Sequence, residues 1–347
     1  MTLDEQITPD PDLHLSKDIT DPDDWQSETT SLASTICKGL LENGRRYQTL
    51  RATDSHVPSD DQMFETYELS HLLAFIIDSH LPNPLFQAPV KTPKNILDIG
   101  TGKGSWAIDV ADMFPEATVR GVDLFPPPVT WLPPNCVLEV DDILQPWTWR
   151  EPFDLVHLRL LDSAFTPEET DLVYKQCFEH IRPGGWIEQL EMSSFVDCDD
   201  GSMPEDSILR GWGPRFTLAA DKANRPLGIM RTFRESIEKA GFVDVHIKDY
   251  KWPIGPWAKD KQLKEVGAVN FRHWQTGMEG YGMWLLTKFG DPVPWTKEEV
   301  QVYVAKMRKE LSNPRIHVYQ KARRIWARKP LEGEKVKKEE EEIKQEK

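Results

Sequence analysis

A short apolar segment, Asn95–Ile99, runs into a turn with glycine at every second position: Gly100, Gly102 and Gly104. An apolar run followed by glycines and an amphipathic stretch predicts a strand, a tight turn and a helix. Glycine has no Cβ, so the backbone of such a turn can pass close to a ligand. Asp123 closes the next predicted strand. This combination predicts a nucleotide-like ligand at the carboxyl edge of a parallel sheet.

The glycine spacing argues against two phosphate-binding motifs. The dinucleotide fingerprint requires a third glycine three positions after the second, where this chain has Ser105. A P-loop requires Ser or Thr after Gly-Lys and a glycine five positions earlier, where this chain has Gly104 and Leu97. The pattern Asp98-x-Gly100-x-Gly102-x-Gly104 instead resembles the first motif of class I methyltransferases. That resemblance implies S-adenosylmethionine as the cofactor.

Strands and helices alternate beyond this turn, which predicts an α/β fold with a doubly wound, mostly parallel sheet. The predicted strands are 95–99, 118–122, 137–140, 154–158 and 186–192, with helices over 103–114 and 168–181. Later predicted elements are helices near 204–223 and 229–240, a strand over 242–250, a helical insertion over 257–312 and a last strand over 316–327. The predicted organisation is an acidic, disordered arm over 1–35, one domain over 36–330 and a charged tail over 331–347. Within the domain we expect an N-terminal helical cap over 36–92, a cofactor-binding core over 93–200 and substrate-side elements over 201–330.

The composition of the chain limits the kinds of binding partner and the cellular compartment that we expect. The 347 residues carry a net charge of −15, which argues against a broad nucleic-acid footprint. Four cysteines with no CxxC pair predict reduced thiols and no metal site. The first residues do not resemble a secretory signal, and no apolar run approaches the ~20 residues of a membrane helix. We therefore expect a cytoplasmic protein that uses neither a membrane nor a nucleic acid.

Four acidic positions and one amide are candidate cofactor contacts. Asp98, at the end of its strand, can bind the ammonium of the cofactor or orient the glycine turn. Asp123 can accept hydrogen bonds from two ribose hydroxyls. One residue of the pair Asp141-Asp142 could accept from an adenine amino group, and Asp142 is preferred. The backbone N–H of Ile143 would donate to an adenine ring nitrogen.

Two basic side chains and two acids lie where the methyl acceptor should bind. His157 and Arg159 alternate on one face of a strand that ends at the ligand edge. His157 could remove a proton from the acceptor, and Arg159 could position an anionic group of the substrate or bond to the protein. The alternative is that both side chains are structural. Glu188 and Glu191 lie on opposite faces of the next strand. One could line the substrate side while the other pairs with Arg or Lys.

Further motifs make a family resemblance specific. They are Glu42-Asn-Gly-Arg-Arg-Tyr47, Trp106-Ala-Ile-Asp109, Gly121-Val-Asp-Leu124, Pro183-Gly-Gly-Trp-Ile-Glu-Gln189 and Trp252-Pro-Ile-Gly-Pro-Trp257. With them the chain resembles the fungal LaeA-like methyltransferases over about 36–330. The resemblance implies an S-adenosylmethionine-dependent methyltransferase, of a kind common in fungal secondary-metabolite pathways. A small-molecule acceptor is expected because the acidic chain carries no obvious peptide- or nucleic-acid-binding module. One departure is Lys103, where the common motif has threonine.

Two other functions remain open. The founding type of the family is a nuclear regulator that acts with velvet-domain partners, and the resemblance admits that role here. A nicotinamide oxidoreductase is disfavoured by Gly104 and Ser105.

Overall fold

One seven-stranded sheet organises the chain. The computed structural model describes residues 36, 38–51, 57–129 and 131–334. Its strands are β1 (Leu40–Glu42), β2 (Arg45–Tyr47), β3 (Asn95–Ile99), β4 (Thr118–Asp123), β5 (Cys136–Val140), β6 (Phe153–Arg159), β7 (Ile181–Asp197), β8 (Val243–Pro253) and β9 (Tyr319–Arg328). Its helices are α1 (Asp61–Asp78), α2 (Ser105–Met113), α3 (Pro167–His180), α4 (Trp212–Lys222), α5 (Phe233–Lys239), α6 (Lys261–Phe289) and α7 (Lys297–Leu311), with short 3₁₀ turns at Ile208–Gly211 and Ile229–Arg231.

The main sheet has the order β5-β4-β3-β6-β7-β9-β8. Strands β3 to β7 are parallel, whereas β9 runs antiparallel to both β7 and β8. The central strand β3 is buried, with Ile96 and Leu97 fully inaccessible, as expected of a parallel strand covered on both faces. The strand order reverses between β3 and β6, since the chain continues from β3 to β4 on one side of the pair and from β6 to β7 on the other. A doubly wound sheet binds its ligand at this point.

The predicted α/β class and the order of the core elements are confirmed. The helical insertion lies between β8 and β9, which return to the same sheet as predicted. The strand predicted over 186–192 is longer in the structure, because β7 begins at Ile181 and shifts its register against β6. Gly184 has a positive φ of 77° within this irregular stretch.

The N-terminal part of the domain is only partly helical, which corrects the expected helical cap. A two-stranded hairpin formed by β1 and β2 precedes α1. Asn43 and Gly44 at its tip have φ values of 53° and 81°. Positive φ at both central residues is what a two-residue hairpin turn requires, and Asn-Gly is its strongest sequence signal. That local signal outweighs the surrounding helical spacing.

The long helix α6 packs against α1 and the inner face of the late strands. Four glycines on α6 let neighbouring backbone and side chains approach closely. A Cβ on Gly267 would lie 2.1 Å from the carbonyl oxygen of Gly255, and one on Gly277 would lie 2.6 Å from Thr66. These close contacts seat α6 and α1 together above the carboxyl edge of the sheet.

The predicted tails fall mostly outside the described residues. The acidic arm over 1–35 and residues 335–347 lie there, whereas 331–334 continue the fold. Glu334 accepts two hydrogen bonds of 2.8 Å from Arg328, so the described chain extends past the predicted boundary at 330.

No helix in the described part of the chain is long and apolar enough to cross a membrane.

Candidate active site

A first cavity opens at the carboxyl ends of β3, β4 and β6. Its wall includes Gly100 to Gly102, Asp123, Asp141 to Ile143, and Arg159. Residues from the segment between β2 and the middle of α1 close the other side: Gln48, Arg51, Ser59, Phe64 and Tyr67. The predicted residues Gly100, Gly102, Asp123, Asp142, Ile143 and Arg159 are therefore brought together around one space. The core and the N-terminal segment form the site jointly.

The glycine turn follows β3 as predicted. Gly100, Gly102 and Gly104 have φ values of 69°, 59° and 86°, a region that favours glycine. The N–H groups of Gly100 and Thr101 donate to Val122, at 2.9 and 3.0 Å, which ties the turn to β4. A Cβ on Gly102 would enter the wall of the cavity and come to 3.7 Å from Tyr67. Gly102 therefore keeps open the place where a ligand can lie against backbone.

Gly104 does not line the cavity, which corrects its assignment as a ligand contact. A Cβ there would lie 2.6 Å from a methyl of Leu138, so the glycine serves packing against β5. Its N–H donates to Thr101, and its carbonyl accepts from Ile108 in the first turn of α2. Lys103 is also absent from the wall, so its ammonium is not placed against a bound cation.

Asp98 orients the turn and does not reach the cavity. Its carboxylate accepts from the Thr101 hydroxyl and pairs with His157 Nδ1, both at 2.7 Å. The residue is only 3% exposed. Of the two predicted roles, direct contact with the cofactor is wrong and support of the turn fits the geometry.

His157 is enclosed, which corrects its prediction as a catalytic base. Its ring stacks on Trp106 with centroids 3.8 Å apart and an interplanar angle of 4°. The side chain is 1% exposed and does not line the cavity. Burial lowers the pKa of His157, although the Asp98 carboxylate opposes this. A neutral imidazole donating to Asp98 is therefore a structural link between β6 and β3.

Asp123 is placed to bind a ligand. One carboxylate oxygen accepts from the N–H of Gly102 at 2.9 Å, and the other accepts from Phe125 at 3.2 Å. Burial raises the pKa of Asp123 to about 6, although these backbone donors lower it. Each oxygen keeps a lone pair for a further donor. Hydrogen bonds from two hydroxyls would stabilise the charged form.

Asp142, Asp141 and Ile143 line the far end of the same cavity. Asp142 Oδ1 accepts from the N–H of Leu144 at 3.1 Å and lies 3.9 Å from Arg51 Nη1. Arg51 also pairs with Glu169 at the start of α3. The preference for Asp142 over Asp141 stays a prediction, since both belong to the wall.

Arg159 lies in the wall of the first cavity. Its Nη1 donates to His71 Nδ1 at 3.1 Å, and His71 Nε2 contacts Asp109 at 2.8 Å. Burial lowers the pKa of Arg159 to about 10, which leaves it charged at neutral pH. An anionic group in this cavity would meet this guanidinium.

A second cavity adjoins the first, and we call it the inner cavity. The two cavities share Val57, Tyr67, Leu160 and Asp162 in their walls. Most of the other lining residues of the inner cavity come from β7, α4 and α6, including Glu191, Trp212, His273, Trp274 and Tyr281. Both helices belong to the range 201–330 that was expected to supply substrate-side elements, although no sequence motif predicted which of their residues line the cavity.

As predicted, one of the two glutamates of β7 pairs with an arginine and the other lines a cavity. Glu188 is buried, and it pairs with Arg324 at 2.5 Å and accepts from the N–H groups of Gln87 and Ala88. Glu191 lines the inner cavity. Burial raises the pKa of Glu191 to about 8, and the charge of Asp162 adds to the effect.

The first cavity fits S-adenosylmethionine. The turn offers close backbone approach at Gly102, Asp123 offers acceptors for ribose hydroxyls, and Arg159 offers a partner for a carboxylate. The described residues contain no cluster of three or more His, Cys, Asp or Glu that could hold a metal ion.

Comparison with known proteins gives consistent matches. A family described as a methyltransferase domain matches residues 96–185. The chain is 32% identical to methyltransferase pytC of Aspergillus terreus, over 88% of this chain and 93% of that protein. It is 32% identical to secondary metabolism regulator LAE1 of Cochliobolus heterostrophus, over 84% and 94%. It is 31% identical to protein-methionine methyltransferase laeA of Emericella nidulans, over 84% and 76%.

Proposed function

Because the chain belongs to the fungal LaeA-like family of S-adenosylmethionine-dependent methyltransferases, we propose that it methylates a small molecule held in the inner cavity. The cofactor supplies an electrophilic methyl group on a sulfonium sulfur. Asp123 binds the ribose, Asp142 and Ile143 bind the adenine, and Arg159 holds the carboxylate of the amino acid end. The product belongs to a secondary-metabolite pathway.

One observation carries this proposal: two cavities meet at shared wall residues beside the glycine turn. A methyl transferase needs its two ligands in contact, with the reacting atoms aligned. In intramolecular reactions such positioning lowers the barrier by up to ~7–11 kcal/mol. Tyr67, Leu160 and Asp162 lie where both ligands would meet.

Calorimetry tests the cofactor assignment. S-adenosylmethionine and S-adenosylhomocysteine should bind, and NAD and ATP should bind far more weakly. Asp123→Asn removes one charged acceptor and should weaken S-adenosylhomocysteine binding by about 1.5–3 kcal/mol. Asp206→Asn is a matched control, because it makes the same charge change on an exposed side chain. Tight NAD binding without adenosylhomocysteine binding would contradict the assignment.

The lining of the inner cavity indicates the chemical class of the methyl acceptor. Its wall is largely aromatic and apolar, which suits a small molecule with rings. A protein acceptor is the alternative, since one relative is named a protein-methionine methyltransferase. Met192 and Met278 of the wall would be the nearest thioethers. Intact-mass measurement after incubation with S-adenosylmethionine tests the case in which this chain is its own acceptor, because one methyl mass would then appear without any added acceptor.

A regulatory role is a second candidate, since another relative is named a secondary metabolism regulator. It would place the protein in the nucleus with a velvet-domain partner. We favour a cytoplasmic pathway enzyme, because the basic run 335–338 is interrupted and followed by four glutamates. Fluorescence localisation of the full chain, with pull-down from fungal extract, distinguishes a nuclear complex from a cytoplasmic enzyme.

A further inference from the structure

The inner cavity combines aromatic rings with acids, and histidine is the one basic residue type among the described residues that line it. Five rings line it: Tyr67, Trp212, Phe216, Trp274 and Tyr281. Among the described lining residues there is neither lysine nor arginine. Aromatic faces attract cations, and an anionic guest would find no counter-charge here. The wall therefore selects against anionic acceptors.

Two carboxyl groups, those of Glu191 and Asp162, face this space. Glu191 is fully buried, and it accepts from Gln189 and Leu161 on one oxygen and from Asp162 N–H on the other. Asp162 accepts from the N–H groups of Gly228 and Ile229, at 2.9 and 3.0 Å. Neither forms a salt bridge within the described part of the chain. Burying charge without an ion pair is costly.

The charges around this pair are few. Burial raises the pKa of Asp162 to about 6, and the Arg231 guanidinium opposes the shift. His273 on the opposite wall is kept neutral, since burial lowers its pKa to about 4. Arg159 belongs only to the wall of the first cavity. The described wall of the inner cavity thus holds two acids and neither lysine nor arginine, and the Arg231 guanidinium acts on Asp162 from outside that wall.

The surroundings of His273 are a second, independent indication that the inner cavity binds a polar ligand. Its side chain is 3% exposed, and its Nδ1 has no hydrogen-bond partner among the described residues. Its Nε2 lies 3.4 Å from the hydroxyl of Tyr281. Of the buried side-chain nitrogens and oxygens left without a partner in the described chain, this one alone belongs to the cavity wall. Buried polar atoms are normally paired.

We propose that the methyl acceptor is an alkylamine that carries an aromatic ring, bound as its ammonium by Asp162 and Glu191 with its ring among the aromatic side chains of the inner cavity. This inference rests on the proposed methyl transfer and names the class of its substrate. It also assigns His273 as a polar contact for the same guest.

The same acids suit the chemistry of an amine. An ammonium has no free electron pair, so it must lose a proton before the nitrogen can react. That proton passes to a carboxylate of Asp162 or Glu191. The nitrogen pair then forms the new bond to the methyl carbon, and the breaking carbon–sulfur bond leaves its pair on sulfur. Charge balances, because the new positive charge on nitrogen replaces that lost from sulfur.

A matched set of indoles tests the proposal by calorimetry on the full chain saturated with S-adenosylhomocysteine. Tryptamine is a cation, tryptophol replaces the ammonium with a hydroxyl, and indole-3-acetate is an anion. We expect tryptamine to bind about tenfold or more tightly than tryptophol, since it gains charge-assisted and cation–π contacts. Indole-3-acetate should not bind measurably. Titrations in two buffers of different ionisation enthalpy should show proton release with tryptamine alone.

Two variants locate the effect. Asp162→Asn keeps Oδ1, which accepts from both Gly228 and Ile229, loses the second contact of Gly228 at Oδ2, and should reduce the preference for tryptamine over tryptophol. Glu191→Gln should reduce it further and remove the proton release. Asp206→Asn changes the same charge on an exposed residue and should behave as the parent. If Glu191→Gln does not fold, the Asp162 variant and the three indoles still decide.

Three results would overturn the proposal: no tryptamine binding, equal binding of tryptamine and tryptophol, or a preference that survives both substitutions. A failure of the methyltransferase assignment is visible separately, because S-adenosylhomocysteine would then give no heat in the first titration.

Discussion

At the scale of single residues, His157 and Glu191 show how burial assigns roles that residue type leaves open. Both lie on strands that end beside the ligand edge. His157 is enclosed between Trp106 and Asp98 and joins two strands. Glu191 faces a cavity and lacks a counter-charge. Strand alternation places a side chain on a face, but it does not say which helix covers that face.

Replacing His157 should therefore affect stability more than ligand binding. His157→Phe keeps a ring beside Trp106 but leaves the buried Asp98 carboxylate without one partner. We expect a loss of about 1–3 kcal/mol in the free energy of unfolding. Urea denaturation measures it, and calorimetry should show unchanged S-adenosylhomocysteine affinity. The double variant with Asp98→Asn should recover part of the loss. A stable protein that no longer transfers methyl groups would restore the catalytic role.

Gly102 and Gly201 form a matched pair for testing the turn. Both have positive φ, 59° and 73°, but a Cβ on Gly201 meets nothing within 4 Å. Alanine at either position should cost roughly 1–2 kcal/mol of stability through backbone strain. Only Gly102→Ala should also lower cofactor affinity, because its methyl enters the first cavity. Equal affinities in titrations of the two variants would place the ligand elsewhere.

At the scale of elements, local signals predicted much of the fold. The apolar runs of β3 and β6 and the glycine turn predicted the parallel core and half of the first cavity. The ends of the predicted strands alone were enough to predict that Asp123, Asp142 and Ile143 lie at this edge of the sheet. The other half was not predictable in this way, because Tyr67 and the residues near it come from a hairpin and a helix seated by α6. The inner cavity depends on contacts between α4, α6 and β7, which no local pattern encodes.

Helix α6 should be sensitive to a single methyl at its closest contact. Gly267→Ala places a Cβ 2.1 Å from the backbone oxygen of Gly255, whereas Gly282→Ala meets Phe216 at 3.2 Å. Both substitutions gain up to about 1 kcal/mol of helix propensity. The backbone clash at Gly267 should outweigh that gain, for a net loss of about 1–3 kcal/mol. Thermal unfolding should show Gly267→Ala well below Gly282→Ala, and the reverse order would contradict this packing.

At the scale of the whole molecule, the buried cavity groups give stability an unusual pH dependence. The pKa of Glu191 is raised to about 8, so the folded protein keeps a proton that the unfolded chain has lost above its ordinary value. The contribution of Glu191 to the free energy of unfolding is therefore fully present at low pH and declines as the pH rises toward 8. Asp123 and Asp162 act in the same direction only below about 6. His157 and His273 oppose them in that lower range, because burial lowers their pKa.

Above pH ~6.5, the ordinary pKa of histidine, Glu191 is the remaining contributor among these groups. We expect the melting temperature of the ligand-free protein to fall between that pH and 8. Glu191→Gln cannot ionise and should give a flatter profile over the same interval. Calorimetric scans of both proteins at matched ionic strength provide the measurement. Parallel profiles would show that the carboxyl is already ionised in the folded protein.

The position of β9 between β7 and β8 has a consequence for synthesis on the ribosome. Strand β8 leaves the ribosome long before its only partner, which lies beyond α6 and α7. Until Tyr319–Arg328 emerges, one edge of the 17-residue strand β7 and both edges of β8 have no neighbour. Unpaired edges of this kind recruit other chains. A nascent chain stopped before residue 319 should therefore bind chaperones. A chain that includes β9 should no longer bind them.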